Sequence, residues 1–176
     1  MLIIAGQNEG RRLTPPKKLP VRPTTDRSKE ALFNILQHQI QFSEISVLDL
    51  FSGTGSISYE FASRGVTKLT AVDKNRHCIH YIQSTAVLLS MQLRVIQKDC
   101  VAFLKTCPEK YDLIFADPPY DFELGTYSSI IQKALLQLET EGQLIIEHFN
   151  KIDLSEFKGF ISSRTYGSAT FSFFGN

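Results

Sequence analysis

Short apolar runs alternate with segments of helical periodicity from residue 46 onward. The apolar runs read SVLDLF, LTAVD, LRVIQ, YDLIFAD and QLIIEH, and helices are expected in SYEFASRG and over about 75–90, 100–106 and 126–140. Apolar strands joined by helices are typical of a parallel sheet with helices packed on both faces. The pattern therefore predicts an α/β fold built on five parallel strands.

The last stretch of the chain departs from this pattern. FKGFISSRT and SATFSFF are joined at Tyr166 and Gly167 with no helix between them, which predicts an antiparallel hairpin at one edge of the sheet. The hairpin brings the mostly parallel sheet to seven expected strands. A chain of 176 residues, of which 43% are hydrophobic, has the length and apolar content for one domain with one core.

The N-terminal part carries most of the positive charge. The first 29 residues hold seven Lys or Arg against two acids, although the whole chain has a net charge of +1. LIIAG and a following partner strand predict a small β-hairpin here, and a helix is expected over 27–41 with Asp26 as its N-cap. We expect residues 1–25 to be a basic extension that contacts phosphates, or else a solvated arm without function, and residues 26–176 to be the main domain.

Cysteine use and the lack of long apolar runs bear on location. Cys78, Cys100 and Cys107 include no CxxC pair, so we expect buried thiols in a reducing compartment and no metal site. No run approaches the roughly 18 apolar residues of a membrane span, and the N-terminal apolar stretch is too short for a signal peptide. These features predict a cytoplasmic protein.

The first four apolar runs all end near an acid, and ligands of parallel α/β sheets bind at such strand ends. In DLFSGTGS, Gly53 and Gly55 let backbone N–H groups approach a ligand at a helix N-terminus. A dinucleotide fingerprint would have a third glycine where Ser58 stands, and acids would repel the phosphates of NAD. Asp73 is placed to accept ribose hydroxyls, and Asp99 could accept from an adenine amine. A cationic ligand without phosphates, S-adenosylmethionine, fits this pattern, and solvated strand-end loops are the alternative.

The fourth apolar run ends in the segment IFADPPY. Two prolines fix two φ angles and supply no N–H, so the carbonyls around them stay rigid and available as acceptors. If Asp117 and the carbonyl of Pro118 each accept one hydrogen of an exocyclic amine, the amine lone pair can point at an electrophilic methyl group. Tyr120 then offers a face on which a nucleobase stacks. The segment predicts methyl transfer to an amine, with a rigid structural turn as the alternative.

Several motifs, taken in their order, resemble one known family. DPPY is the amino-methyltransferase form of the D/N-P-P-Y/F motif of class I S-adenosylmethionine-dependent enzymes. IIAG, GRRL, RPTTDRSKEALFNIL, LDLFSGTGSIS and IFADPPY follow one another as in the RsmD family of bacterial 16S rRNA (guanine-N2)-methyltransferases. The resemblance implies a Rossmann-like class I methyltransferase fold, the cofactor S-adenosylmethionine, and methyl transfer to N2 of a guanine in 16S rRNA.

The predicted site residues form three groups, for the target base, the cofactor and RNA. The groups are, in that order, Asp117, Pro118, Pro119 and Tyr120; Asp49, Phe51, Gly53, Gly55, Asp73, Lys74, Asp99 and Cys100; and Arg11, Arg12, Arg22 and Arg27. The small N-terminal arm offers little surface to read the shape of RNA alone. We therefore expect the protein to bind 16S rRNA within an assembled or assembling small ribosomal subunit. We expect the protein itself to be a monomer.

Other functions remain open at this point. An adenine-N6 DNA methyltransferase would use the same chemistry but usually carries a sizeable target-recognition domain. A protein-glutamine methyltransferase usually has Asn in place of Asp117. An NAD-dependent oxidoreductase and a non-catalytic RNA-binding module are the alternatives from other classes.

Overall fold

The computed structural model describes residues 1–16, 19 and 26–176. Within these residues, apolar runs form strands and the amphipathic segments between them form helices. The helices are α1 Asp26–Leu36, α2 Ser56–Ser63, α3 Arg76–Leu88, α4 Cys100–Thr106 and α5 Leu124–Leu136. The strands are β1 Ser46–Leu50, β2 Lys68–Asp73, β3 Arg94–Gln97, β4 Tyr111–Ala116, β5 Leu138–Phe149, β6 Phe160–Tyr166 and β7 Ala169–Gly175.

The seven strands in this part of the chain form one sheet, in the order β3-β2-β1-β4-β5-β7-β6. Strands β1 to β5 run parallel, because the helical segments between them provide the long crossovers that parallel pairing needs. β7 pairs antiparallel with both β5 and β6. The predicted α/β fold, a mostly parallel seven-stranded sheet with an antiparallel C-terminal hairpin, is confirmed.

Strand order reverses between β1 and β4. From β1 the chain passes through β2 to β3 on one side of the sheet, and it then returns to β4 on the other side. Leu50 at the end of β1 pairs with Val72 of β2 and with Ala116 of β4, so three carboxyl ends lie side by side. Ligands of open α/β sheets bind in the crevice outside such a reversal.

Side-chain alternation along β1 divides the core into two layers. Leu48 and Leu50 pack in the layer that contains α4 and α5, whereas Val47 packs with α1 and α2. Asp49 lies on the same face of the strand as Val47, and its side chain is only 1% exposed. The alternation therefore places a carboxylate under α2, at the inner end of the crevice.

The predicted N-terminal β-hairpin is present but short. Around an antiparallel bridge between Leu2 and Arg12, the N–H of Ile3 donates to the carbonyl of Arg11 at 3.0 Å, and the N–H of Leu13 donates to the carbonyl of Met1 at 2.9 Å. The carboxylate of Glu60 in α2 accepts the next two N–H groups of the segment, that of Ile4 at 2.8 Å and that of Ala5 at 3.2 Å. The hairpin is therefore bound to a helix of the main domain.

A buried ion pair supports this attachment. Lys29 of α1, whose side chain is 0% exposed, has its Nζ 3.7 Å from Oε2 of Glu60. Lys29 also donates to the Leu2 carbonyl at 2.5 Å and to Oγ of Ser56 at 3.3 Å, and Arg64 donates to Oε1 of Glu60 at 2.9 Å. Burial lowers the pKa of Lys29, although Glu60 acts in the opposite direction. The ion pair and these hydrogen bonds join the N-terminal segment, α1 and α2.

Two helices end earlier than their periodicity predicts. α1 ends at Leu36 rather than at residue 41, and α5 ends at Leu136 rather than at residue 140. After α5, the N–H of Tyr111 donates to the carbonyl of Gln137 at 2.8 Å, and Leu138 pairs with Tyr111. Strand pairing with β4 thus ends the helix before its apolar pattern stops.

The three cysteines, Cys78, Cys100 and Cys107, are buried free thiols, as predicted. None of the helices in the described ranges combines the length and apolarity that a membrane crossing requires.

Candidate active site

A cavity of about 1050 Å³ lies outside the carboxyl ends of β1, β2 and β4. It brings together most residues that the sequence marked as a site. These are Asp49, Phe51, Gly53, Asp73, Lys74, Asp99, Cys100, Asp117, Pro118, Pro119, Tyr120 and Arg27. Gly55, Arg11 and Arg12 do not line it. Arg22, predicted to contact RNA, lies outside the described residues.

The loop between β1 and α2 carries backbone N–H groups to the cavity. Gly53 and Gly55 have φ angles of 52° and 80°, in the left-handed region that favours glycine. A Cβ added at Gly55 would lie 2.8 Å from Cζ of Tyr59, a ring that is fully buried. Gly55 therefore lets the loop pack directly against the Tyr59 ring, although it does not line the cavity.

Phe51 opens this loop in a backbone conformation that is rare for a large residue, with φ of 60°. Its N–H donates to Sγ of Cys100 at 3.2 Å, and its ring meets Phe122 edge to face, with centroids 5.9 Å apart. Burial raises the pKa of the Cys100 thiol, which therefore stays neutral. Backbone strain of about 1–3 kcal/mol is held at a position where the ring lines the cavity.

Asp73 connects the end of β2 to the glycine loop. Its Oδ2 accepts the N–H of Gly53 at 2.8 Å, and its Oδ1 accepts the N–H of Asn75 at 2.7 Å. Each oxygen of an ionised carboxylate has a second acceptor site. Asp73 can thus hold the loop and still accept hydrogen bonds from a ligand in the cavity.

Asp49 is the most deeply buried acid of the cavity. Its Oδ2 accepts a hydrogen bond from Oγ of Ser58 at 2.5 Å. Burial, assisted by the nearby charge of Asp73, raises the pKa of Asp49 to about 7, and the Ser58 hydrogen bond opposes this rise. Ser58 stands where a dinucleotide fingerprint would have its third glycine. Its hydroxyl instead donates the hydrogen bond to Asp49.

Asp99 has a structural role besides its predicted one. Its Oδ1 accepts the N–H of Ala102 at 2.9 Å and so caps α4, and the residue also lines the cavity. Across residues 1–16, 19 and 26–176, no group of three or more His, Cys, Asp or Glu side chains could hold a metal ion.

β4 delivers the DPPY segment to the same cavity. The N–H of Asp117 points to the carbonyl of Leu50 at 3.4 Å, which places the start of the segment beside the end of β1. The ring of Tyr120 stacks on Phe149, with centroids 5.8 Å apart and 27° between the ring planes. The segment predicted to bind an amine and the loop predicted to bind a cofactor therefore share one cavity.

Among the lining residues that were not predicted, two parts of the wall come from β5 and from the C-terminal hairpin. Glu147 of β5 is 3% exposed and lies beside the DPPY segment, because Ile146 pairs with Ala116. This acid ends the fifth apolar run, so the rule applied to the first four runs would have found it. The other part is the turn between β6 and β7 with the strand residues that flank it, together residues 165–169, for which the sequence carries no local signal.

The arginines predicted to contact RNA are separated in the structure. Arg27, in the first turn of α1, is exposed and lines the cavity. Arg11 and Arg12 are exposed on the N-terminal segment. The segment itself is close to the glycine loop, since Sδ of Met1 lies 3.7 Å from Oγ1 of Thr54.

Comparison with solved structures identifies the class of protein. The Escherichia coli protein yhhF superposes with a TM-score of 0.83 at 25% identity, over 99% of this chain and 96% of that chain. The Thermus thermophilus 16S rRNA N2 G1207 methyltransferase, solved with AdoMet and guanosine, gives a TM-score of 0.70 at 19% identity, over 86% of this chain and 43% of that chain. The second likeness is one of fold alone. The chain has the Rossmann-like fold of class I methyltransferases.

Sequence comparison identifies the family. A family model described as conserved hypothetical protein 95 matches residues 1–175. The ribosomal RNA small subunit methyltransferase D of Haemophilus influenzae is 34% identical over an alignment of 152 positions, which covers 79% of this chain and 78% of that protein. The chain belongs to the RsmD family, and the resemblance seen in the motifs is confirmed.

Proposed function

We propose that this protein transfers a methyl group from S-adenosylmethionine to the exocyclic N2 of a guanine in 16S rRNA. The observation that carries the proposal is the single cavity lined by both the glycine loop and the DPPY segment, since methyl transfer requires donor and acceptor in one enclosed space. The name of the H. influenzae relative, a small subunit rRNA methyltransferase, supports the choice of substrate.

The acceptor groups at the glycine-loop end fit S-adenosylmethionine. Asp73 has acceptor sites left for the two ribose hydroxyls, and Asp99 and Phe51, which line the same cavity, would flank the adenine. Asp49 would accept a hydrogen bond from the ammonium group of the methionine part of the cofactor. When bound, the cofactor supplies an electrophilic methyl group on a sulfonium, and the carboxylates suit its positive charge better than they would suit phosphates.

The DPPY segment would hold the acceptor nitrogen. Asp117 and the Pro118 carbonyl each accept one N–H of the guanine amine, which directs its lone pair along the line of attack. Such alignment can supply up to about 7–11 kcal/mol of barrier reduction. The cofactor would supply the methyl group, with its sulfonium becoming a neutral thioether, and the methylated nitrogen would release a proton toward Asp117, the acceptor to which it is already bound.

Aromatic rings would fix the plane of the base. Phe149 covers one face of the Tyr120 ring, so a base would stack on the other face. Because the nitrogen must reach the bottom of a cavity, the guanine has to be single-stranded or flipped out of its helix, at a cost of a few kcal/mol when it starts stacked.

The basic residues suggest how RNA is held. Arg27 at the cavity would contact the target nucleotide or its phosphate, and Arg11 and Arg12 would contact phosphates further away. From the sequence alone, Arg22 is proposed as a further RNA contact. We propose that residues 1–25 act as an RNA-binding extension to a domain of residues 26–176. We also propose that the protein works as a cytoplasmic monomer on assembled or assembling small subunits.

The test is methyl transfer from radiolabelled S-adenosylmethionine to three substrates: small subunits lacking the modification, protein-free rRNA, and duplex DNA. We expect N2-methylguanosine from the small subunits. Asp117→Ala should abolish transfer while the dissociation constant for S-adenosylmethionine stays within a few-fold of the wild-type value. Label recovered from DNA as N6-methyladenine, or no transfer to any nucleic acid despite cofactor binding, would overturn the proposal.

A further inference from the structure

The antiparallel placement of β7 brings a distant part of the chain to the active site. β7 begins where β5 ends, with His148 opposite Thr170 and Phe149 opposite Ala169. The turn that precedes β7 therefore lies at the same edge of the sheet as the carboxyl ends of the parallel strands. All five residues of this turn region, 165–169, line the cavity together with the DPPY segment.

The turn is fixed to the site. Asn150, which follows β5, donates from Nδ2 to the Gly167 carbonyl and from its backbone N–H to the Ser168 carbonyl, each at 3.0 Å. Across the hairpin, the hydroxyls of Thr165 and Thr170 are 2.9 Å apart. β5 also carries Phe149, which stacks on Tyr120, so the turn and the DPPY segment are held by the same strand.

The chemistry of the turn suits an uncharged ring. Residues 165–169 read TYGSA and include no ionisable group other than the phenol of Tyr166. Tyr166 is half-buried, and its ring lies against Phe171, with centroids 6.1 Å apart. An aromatic ring offers a nucleobase a face on which to stack, and the turn has no Arg or Lys to neutralise the charge of a phosphate.

We propose that the turn between β6 and β7 is a wall of the target-base subsite and that Tyr166 contacts the flipped guanine, as a second aromatic contact besides Tyr120. This inference rests on the proposed function and assigns a role to the C-terminal hairpin. The hairpin then has two tasks: it completes the sheet beside β5, and it closes the end of the cavity that faces the base.

Kinetics with two variants of Tyr166 test the contact. Tyr166→Ala should lower kcat/KM for small subunits lacking the modification by about 5- to 100-fold, the range expected when one stacked ring is removed. Tyr166→Phe should retain most of the activity, because the ring remains. The dissociation constant for S-adenosylmethionine should be unchanged in both. Ile161→Ala is the matched control, since Ile161 lies on the same hairpin, is 60% exposed and does not line the cavity.

Fluorescence gives a direct readout of contact, because the chain contains no tryptophan. The emission of a Tyr166→Trp variant should be quenched when small subunits lacking the modification bind, whereas that of an Ile161→Trp variant should change little. Equal kinetics of Tyr166→Ala and Ile161→Ala, or equal quenching in the two Trp variants, would overturn the inference. If the wild-type protein methylates no guanine, the proposed function itself fails, which is a separate result.

Discussion

At the scale of single residues, burial of Asp49 makes the free energy of unfolding depend on pH. Burial raises its pKa from 3.8 to about 7, so between these values the folded state binds a proton that the unfolded state has released. The contribution of this group to the free energy of unfolding therefore falls as the pH rises through that window. The slope is up to about 1.4 kcal/mol per pH unit, and the loss is complete above the folded-state pKa.

We predict that Asp49→Asn removes this part of the pH dependence. In urea unfolding between about pH 4.5 and 8.5, the stability of the wild type minus that of the variant should fall up to about pH 7 and then stay constant. Ser58→Ala provides a check, because loss of the hydrogen bond that opposes burial should extend the window to higher pH. A difference that is the same at every pH would contradict the prediction.

At the scale of structural elements, the junction of α1, α2 and the N-terminal segment depends on Glu60. This carboxylate neutralises buried Lys29 and accepts two backbone N–H groups of the N-terminal segment. A buried ion pair is not strongly stabilising by itself, because both charges lose their hydration. Removal of one partner, however, leaves the other charge buried without compensation.

We predict that Glu60→Gln destabilises the protein by about 3–5 kcal/mol, measured by urea unfolding. The matched control is Glu109→Gln, which breaks the ion pair between Arg94 and Glu109 at 2.6 Å. That pair is exposed, so its loss should change stability by about 0–1 kcal/mol. Similar effects of the two substitutions would show that burial of Lys29 does not set the strength of the junction. Amide hydrogen exchange at Ile4 and Ala5 should also become faster in Glu60→Gln alone.

At the scale of the whole molecule, the parallel half of the fold could be predicted because each strand and the acid near its end are adjacent in sequence. Asp49, Asp73 and Asp117 were found in this way, and the structure brings them to one cavity. What the sequence did not reveal depends on pairing between distant segments. The turn at 165–169 reaches the cavity through the register of β7 with β5.

The N-terminal segment illustrates the same limit. Its apolar residues and following turn are typical of the hairpin that forms, but the local pattern gives no sign of the group that binds this hairpin. Glu60 lies 56 residues from Ile4 in sequence, yet its carboxylate accepts the N–H of Ile4 and so joins the hairpin to α2. Asp99 shows a further case, because the same carboxylate can serve as a helix cap and as part of a cavity wall.

The uneven distribution of charge over the molecule leads to the last prediction. The first 29 residues carry a net charge of +5 and the remainder −4, so attraction to RNA should act mainly through the N-terminal part. We predict that the double variant Arg11→Gln/Arg12→Gln weakens binding to small subunits. The slope of its salt dependence should fall by about one unit for each phosphate that the variant no longer neutralises. S-adenosylmethionine binding should be unchanged, because neither arginine lines the cavity.

The double variant Lys68→Gln/Lys110→Gln removes the same charge elsewhere. Both lysines are exposed. They lie at the amino ends of β2 and β4, whereas the cavity lies at the carboxyl ends of these strands. If Arg11 and Arg12 contact phosphates, only their variant should lower the salt slope. If both double variants weaken binding equally, the attraction depends on total charge alone. If neither has an effect, the N-terminal arm is solvated and the RNA contacts lie at Arg27 and the cavity rim.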